Sequence, residues 1–573
     1  MIELIILISL VIISKLLGKM FFNFLKINFV SLYEELVFCV GVGLAIISYF
    51  VFFVGLIGFL HRLFFVSLIS LFIIYFLFEI IKNLKRFSIR VQKNFFLFYF
   101  LILTILIYFI STYLPITESD SLTYHLTIPK YFVLFHRIYN ISDIIKYSTF
   151  PQLVEMLFLV GMLLKDEILA SQIHFLFAIL TIISIFIFAK KFFGSKEIGF
   201  LGAIFYLLSR PVKDLVGTAK VDFAVCFYFF MMFYSLFNSV FTDEKRNEWF
   251  LVSGIFCAFC FSVKYTGIIY LTLPFLFYLC NSYFKKGYFK VDFKIWIKFL
   301  MIYFVIISPW LIRNYFYTGN PFSPFLNKIF ADRSLNSYLI EDLKLHLESC
   351  KKLYSVKDYF KNFFGIFYDI PELNFFIFSF FGKVNYYILL IIFFSFIYLL
   401  LGLLFFPYAW RFFLPSFVLL FLLSAKGVYQ MIKQDASQYR KKILKYITFT
   451  FFIIFVTTRF LELNNKIFEK DNILYLLGKI NKNCYLTKKL SFYPVVNYVN
   501  KHLTKNDKIL SLNETRGYYF IPKFIVSHHT RVGSVVHTSK DIEEIIESLK
   551  LNKIYYIFTN HSDYFYVIKE KQS

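Results

Sequence analysis

The sequence predicts a polytopic α-helical membrane protein that ends in a small α/β domain. Hydrophobic residues make up 59% of the 573 residues, and the mean hydropathy is +0.67. Many windows contain about 20 consecutive apolar residues, which is the length of a helix that crosses a bilayer. An outer-membrane barrel would need short strands of alternating polarity instead. The continuous runs therefore favour helices, which satisfy their own backbone hydrogen bonds in lipid.

Positive charge is concentrated in short segments between the apolar runs. The net charge is +25, and basic residues cluster near 82–93, 190–196, 285–298 and 426–445. Because cytoplasmic loops are enriched in Lys and Arg, these segments are predicted to face the cytoplasm. Topology accounts for most of the charge, so the expected partner is the lipid bilayer and not a nucleic acid.

The predicted helices can then be placed in chain order. The first, at 2–22, has neither a basic n-region nor a cleavage motif, so it is predicted to be retained and not a signal peptide. With helices at 37–59 and 63–83 it forms an N-terminal unit, residues 1–94. A core, residues 95–462, follows, with predicted helices at 95–114, 168–189, 197–209, 221–241, 249–282 (broken at "SVKYTG"), 296–312 and 445–462, and three short ones within 373–425. The helix at 296–312 is predicted to lead out into a long loop, 313–372, and the total is roughly a dozen spans.

Two further segments differ from these spans. Residues 151–164 are too short to cross a bilayer and are predicted to lie at the membrane interface. Residues 463–573 have shorter, alternating apolar patterns. There "KILSLN", "FIVSHH" and "KIYYIFT" predict strands, and "SFYPVVNYVNKHL" and "SKDIEEIIESLK" predict amphipathic helices. This segment is predicted to be a small accessory α/β domain outside the cytoplasm.

Polar residues gather in the segments that this topology places outside. The stretch "ESDSLTYHLTIPKYF" (118–132) contains two carboxylates directly after a predicted span. The candidate residues are Glu118, Asp120, Tyr124, His125, Lys220, Asp222, Lys264, Arg313 and Arg411. Cations at outward helix ends oppose the usual charge distribution. Each one alone could extend its charge to the interface, but their occurrence beside carboxylates favours a site that binds an anion such as phosphate.

Asp120 has two compatible interpretations. An Asp before an apolar run can cap a helix, and an ionised carboxylate can act as a general base for an acceptor hydroxyl. The pair Glu118 and Asp120 could also bind a divalent cation, so metal dependence stays open. His125 is as readily a buried or loop residue as a metal ligand.

The ordered set of segments resembles a known superfamily. The segments "ESDSLTYHLTIPKYF", "FPQLVEMLFLVGMLL", "KVDFAVCFYFFMMFYSL", "GIFCAFCFSVKYTGIIYL", "PWLIRNYFYTGNPFSPFLN" and "RFFLPSFVLL" occur in the order found in bacterial GT-C membrane glycosyltransferases. They look most like the RgtA/B/C/D-like branch, which is related to protein O-mannosyltransferases and aminoarabinose transferases. The likeness covers about 95–425, and the helices before residue 95 depart from the shared core.

The resemblance implies a GT-C fold and an inverting transfer of a monosaccharide from a polyprenyl phosphate. The reaction would occur at the outer face of the bacterial cytoplasmic membrane, onto a hydroxyl of a lipid, glycan or protein. By that likeness Asp120 is the general base, and Asp222 matches a second acidic position of the catalytic site. Glu118, two residues before Asp120, departs from the shared pattern and is expected to support the base. Lys264 and Arg313, with Arg411, would bind the donor phosphate, and Tyr124, His125 and Lys220 are further substrate-binding candidates.

A membrane transporter or lipid flippase is the alternative from another class. A carrier favours repeated halves and ionisable residues near the middle of the bilayer. The sequence has no repeat at a fixed period, and its charges gather at one face, which favours the enzyme. An inactive protein of the same fold is also compatible with the sequence. The enzyme hypothesis requires that Asp120 and Lys264 lie together.

Overall fold

The computed structural model describes residues 2–83, 96–242, 244–284, 293–352, 355–381, 384–405, 410–433 and 439–560. Much of the basic sequence used for the topology, at 84–94 and 285–292, lies outside the described residues.

Three helices form the N-terminal part: α1 (Ile2–Phe24), α2 (Leu32–Leu56) and α3 (Arg62–Asn83). The first two pack backbone against backbone. A Cβ atom on Gly18 would lie 1.9 Å from the Cys39 carbonyl oxygen, and one on Gly43 would lie 1.8 Å from the Ser14 carbonyl oxygen. Only glycine permits this approach, which is how helices associate where lipid removes the hydrophobic driving force.

The following helices build the core. They are α4 (Phe96–Ser111), α5 (Thr127–Leu134), α6 (Leu153–Leu164), α7 (Glu167–Phe192), α8 (Lys196–Leu208), α9 (Arg210–Leu215), α10 (Asp222–Phe241), α11 (Arg246–Val263), α12 (Thr272–Phe284), α13 (Phe293–Thr318), α14 (Ser337–Lys352), α15 (Val356–Asp369), α16 (Tyr386–Phe405), α17 (Leu414–Lys433) and α18 (Tyr439–Ile467). The central helix α10 is enclosed almost completely, and it packs against α7, α11 and α17.

The predicted class is confirmed: the chain is a multi-span helical membrane protein. Within the described ranges, eight helices are long and apolar enough to cross a bilayer, and a bent pair at 357–369 and 371–380 would make nine. Shorter apolar helices lie at Arg62–Ile74, Phe96–Ser111, Leu153–Leu164 and Tyr265–Cys280. The total of about a dozen spans stays a prediction.

The interfacial prediction for residues 151–164 is wrong. Helix α6 begins at Leu153, is buried along nearly its whole length and packs against α2, α5 and α7. It does not have to match the thickness of the bilayer because protein, and not lipid, surrounds it.

Three other segments differ from their predictions. Residues 313–372, expected to be a loop, contain the end of α13 and helices α14 and α15. Residues 371–433 contain a 3₁₀ helix at Pro371–Phe381, a short one at Trp410–Phe413 and the long helices α16 and α17, in place of three short helices. Lys426, expected in a basic loop, lies within α17 and is buried. The apolar runs alone did not show where these helices end.

The C-terminal segment contains a small parallel sheet, as predicted. Its strands are β1 (Lys508–Ser511), β2 (Lys523–Val526) and β3 (Tyr556–Phe558), in the order β2-β1-β3. The accompanying helices are α19 (Lys470–Leu476), α20 (Lys482–Lys489), α21 (Tyr493–His502), α22 (Val535–Thr538) and α23 (Ile542–Leu551). The division predicted at residue 463 falls in the last turns of α18.

Candidate functional site

Charged residues from four separate segments meet at one end of the helical bundle. Glu118 and Asp120 precede a π-helical turn at Ser121–His125, Lys220 and Asp222 lie at the start of α10, Lys264 follows α11, and Arg411 precedes α17. Because α10 and α11 are consecutive and pack side by side, the start of the first lies beside the end of the second. Six candidates from the sequence therefore form one cluster.

Glu118 caps the turn that follows it. Its carboxylate accepts hydrogen bonds from the backbone N–H groups of Asp120 (3.1 Å) and Ser121 (2.9 Å) and from the Ser121 hydroxyl (2.8 Å). The ammonium of Lys220 lies 2.7 Å from the same carboxylate. Asp120 occupies the cap position, but its side chain accepts no capping hydrogen bond from the described backbone. The capping interpretation of Asp120 is therefore wrong, because the side chain of Glu118, and not that of Asp120, caps the turn.

Asp120 contacts two cations and remains partly open to solvent. Its Oδ2 lies 2.6 Å from Nη1 of Arg411 and 3.8 Å from Nζ of Lys220, and 29% of its side chain is exposed. Burial raises the pKa of Asp120, but the charges of Arg411 and Lys220 outweigh it, so the pKa is below its usual value of 3.8. The carboxylate is therefore ionised at neutral pH, as a general base must be.

Asp222 and Lys264 form the second half of the cluster. Nζ of Lys264 lies 3.3 Å from Oδ1 of the buried Asp222. The same ammonium lies 4.4 Å from the ring centre of Phe412, and the Arg411 guanidinium lies 5.3 Å from that ring. Phe412 thus holds two cations by cation–π contact. Because Phe is abundant throughout the chain, the sequence did not indicate that Phe412 belongs to the site.

Two buried polar atoms of this cluster lack hydrogen-bond partners among the described residues. They are Oδ2 of Asp222 and Nε of Arg411. Buried polar groups are normally hydrogen-bonded, so these two atoms are available to a bound ligand.

Tyr124 and His125 lie beside the cluster. Nδ1 of His125 is 2.7 Å from Oε1 of Glu155, and both side chains are buried. The Tyr124 ring packs on His125 and Tyr147, with ring centres 4.1 and 4.7 Å away. Burial, and then the charge of Asp120, raise the pKa of the Tyr124 hydroxyl well above its usual value. Glu155 was missed because it lies in the segment expected at the interface.

Arg313 lies apart from the charged cluster. Its guanidinium is buried and donates to the Gln152 side chain (2.9 Å), the Phe150 carbonyl (2.9 Å) and the Asn314 side chain. The prediction that Arg313 begins a loop is wrong, since it lies inside α13. These contacts make Arg313 a support for the segment before α6 and do not favour its role as a phosphate ligand. Gln152 and Asn314, which complete this network, were missed by the sequence.

A divalent cation does not fit the pair of acidic residues well. The carboxylates of Glu118 and Asp120 already contact Lys220 and Arg411. Within the described residues, no group of three or more His, Cys, Asp or Glu side chains is placed to hold a metal ion. The positive charge at these carboxylates is thus supplied by side chains of the protein.

The C-terminal domain is hydrogen-bonded to the segment that carries Asp120. The half-buried Lys130 donates to the carbonyls of Gly517 (3.3 Å), Tyr518 (3.0 Å) and Phe520 (2.6 Å). The Tyr518 N–H also donates to the Leu122 carbonyl. Leu122 and Lys130, which both follow Asp120, are bound in this way, so the domain helps to position the segment that begins at Asp120.

Comparisons with known proteins agree with the predicted resemblance. Residues 153–312 match a family model described as dolichyl-phosphate-mannose-protein mannosyltransferase. A search of curated proteins finds no match. The fold is similar to the crystal structure of the Archaeoglobus fulgidus oligosaccharyltransferase in complex with Zn and sulfate, with a TM-score of 0.50 and 10% identity, over 80% of this chain and 67% of that one.

A second solved structure is similar over most of both chains. ArnT from Cupriavidus metallidurans bound to undecaprenyl phosphate has a TM-score of 0.48 and 12% identity, over 80% of this chain and 89% of that one. The family model and the archaeal structure confirm the predicted GT-C fold and the resemblance to GT-C membrane glycosyltransferases.

Proposed function

We propose that this GT-C-fold protein is an inverting glycosyltransferase. It transfers a monosaccharide from a polyprenyl-phosphate donor to an acceptor hydroxyl at the extracytoplasmic face of a bacterial cytoplasmic membrane. The observation that carries the proposal is the position of Asp120, an ionised and accessible carboxylate within a cluster of Lys220, Lys264 and Arg411. The description of the matched family, a transferase that uses a lipid-phosphate sugar, supports the same chemistry.

The residue types fit a single displacement. Asp120 removes the proton of the acceptor hydroxyl, and the hydroxyl oxygen bonds to the anomeric carbon of the sugar. The bond between that carbon and the phosphate oxygen breaks, and its electron pair stays on the phosphate. Lys264 and Arg411 stabilise the negative charge that develops there. A phosphate is a good leaving group, so the step does not require a general acid, and attack opposite to it inverts the anomeric centre.

Other members of the cluster position these groups. Asp222 orients the Lys264 ammonium through its 3.3 Å contact. Glu118 fixes the turn that starts at Asp120 and holds Lys220 beside it. Nε of Arg411 and Oδ2 of Asp222 are available to the phosphate and to a sugar hydroxyl, respectively.

The test compares purified wild type with the variants Asp120→Asn and Asp120→Ser on a panel of polyprenyl-phosphate hexoses and pentoses. Transfer should fall by about 10²–10⁴-fold in both variants, because neither residue can act as the base. Thermal unfolding should be nearly unchanged because the Asp120 side chain is not a helix cap. Asp143→Asn, an exposed acidic residue of the same segment, is the matched control. Turnover retained in both Asp120 variants would reject the mechanism.

A further inference from the structure

Two adjacent hollows lie on either side of the short helix α9. The first, the head cavity, has a volume of about 380 Å³ and is lined by Glu118, Asp214, Glu469, Asn472 and Tyr485, among others. The second, the α18 groove, has a volume of about 780 Å³ and is lined mainly by Phe375, Phe378, Phe451, Ile454 and Phe455. Both volumes are within the range of sites for small molecules.

The head cavity is lined by both polar and apolar side chains and reaches the catalytic cluster. Glu118, whose carboxylate shares Lys220 with Asp120, forms part of its wall. Its carboxylates, from Glu118, Asp214 and Glu469, are nearly balanced by the ammonium groups of Lys213 and Lys489. A wall of nearly balanced charge, with an amide and a phenol from the C-terminal domain, suits an uncharged group with many hydroxyls better than a phosphate.

The α18 groove is apolar along a helix that is long and apolar enough to cross the bilayer. Phe451, Ile454 and Phe455 lie on α18, within the candidate span of residues 445–465. The charged residues of the groove are Arg210, Asp369, Glu372, Arg459 and Glu462. Arg459 and Glu462 lie towards the end of α18 that leads to the C-terminal domain, where Arg459 contacts Glu372, and Arg210 contacts Asp369. The groove is thus suited to a hydrocarbon chain whose polar end points towards α9.

Two ion contacts lie between the two hollows along this wall. Nζ of Lys213, in the head cavity, lies 2.8 Å from Oε2 of Glu462, in the α18 groove. Arg210 of the groove lies 3.9 Å from Asp214 of the cavity. On α18, Glu462 lines the groove and the next residue, Leu463, lines the cavity. Asp214, Arg210 and Glu462 are exposed and Lys213 is half-buried, and ion pairs near the surface contribute little stability, so rotation of these side chains would open a path between the hollows.

We propose that the joined hollows bind the acceptor, and that the acceptor is a lipid with an uncharged saccharide head group. Its hydrocarbon chain lies in the α18 groove, its head lies in the head cavity, and one head-group hydroxyl points past Glu118 towards Asp120. This assignment rests on the proposed glycosyltransferase function. A lipid acceptor is favoured over a protein acceptor, because an extended peptide would not occupy the apolar groove.

The test blocks the groove without touching the catalytic cluster. Thr458→Trp places an indole in the α18 groove, whereas Thr457→Trp places it on the adjacent exposed position outside the groove. Each protein receives a polyprenyl-phosphate sugar that wild type turns over, radiolabelled in the sugar, together with the total lipid extract of the native membrane. Label should pass from the donor into a second organic-phase lipid, separated from the donor by thin-layer chromatography, at least about tenfold more slowly with Thr458→Trp than with wild type, a loss of about 1.4 kcal/mol. Thr457→Trp should match wild type.

Binding of unlabelled polyprenyl phosphate separates this assignment from its alternatives. Both Trp variants should bind it as wild type does. Selective loss of that binding in Thr458→Trp would assign the groove to the donor and overturn the proposal. Equal transfer by the two variants, or label in protein or in water-soluble glycan, would also overturn it. If wild type turned over none of the donors, the proposed function itself would fail, and the acceptor assignment would fail with it.

Discussion

Arg411 determines the protonation of Asp120. The carboxylate is largely buried, which alone would raise its pKa, and the guanidinium 2.6 Å away reverses that effect. Lys220, 3.8 Å from the same carboxylate oxygen, lowers the pKa further. The residue proposed to stabilise the departing phosphate therefore also keeps the proposed base ionised.

This coupling predicts a change in the pH dependence of activity. A base works above its pKa, so the acid limb of kcat/KM for wild type should lie below about pH 4, the usual range for Asp. Arg411→Ala removes the nearest positive charge, so the pKa of Asp120 should rise and the acid limb should move to higher pH. The measurement is the pH profile of kcat/KM, with Arg137→Ala, an exposed cation of the same segment, as control. An acid limb unchanged in Arg411→Ala would contradict the coupling.

At the scale of elements, α13 holds the segment before α6 through Arg313. The guanidinium and the neighbouring Asn314 bind Thr149, Phe150 and Gln152. Helix α6 then places Glu155 against His125, one turn from Asp120. This buried network thus links the position of α13 to that of the turn that follows Asp120.

Replacement of Arg313 should therefore affect stability more than substrate binding. Arg313→Met leaves the buried acceptors of Gln152 and Phe150 unpaired, at a cost of about 1–3 kcal/mol in the free energy of unfolding. The folded fraction should retain the KM of wild type for the donor. Thermal unfolding and donor kinetics, measured on one preparation, check both statements. If KM rose strongly with stability unchanged, Arg313 would be a phosphate ligand as the family resemblance implies.

At the scale of the whole molecule, the C-terminal domain is part of the site. Lys130 donates to three carbonyls, those of Gly517, Tyr518 and Phe520, and Glu167 at the start of α7 contacts Lys482 of the domain. Residues of the same domain line the head cavity. The prediction from sequence that it is accessory understates these contacts.

Loss of the Lys130 hydrogen bonds should make both the C-terminal domain and the segment that carries Asp120 more flexible. Lys130→Met should increase hydrogen exchange in residues 515–524 and in residues 118–131, because the three carbonyls lose their donor and the methionine cannot replace it. Transfer should fall while binding of polyprenyl phosphate, near Lys264 and Arg411, is retained. Lys501→Met, an exposed lysine of α21, is the control. Faster exchange in the domain alone would show that it does not position the Asp120 turn.

The sequence by itself determined the class of the molecule and most of the participants in the site. Length and hydropathy of each run are local properties, so they identified the spanning helices and the change to an α/β segment near residue 463. Charges at helix ends, together with the GT-C resemblance, identified Asp120, Lys220, Asp222, Lys264 and Arg411 before their contacts were known.

Only the tertiary structure decided what each of these residues does. Whether Glu118 or Asp120 caps the turn depends on which carboxylate reaches the backbone N–H groups. The two residues are only two positions apart, so the sequence does not decide between them. Phe412, Glu155 and Lys130 act through partners that are distant in the chain, and Arg313 is removed from the cluster by Gln152 and Phe150. Such pairings depend on how helices pack, which local composition does not specify.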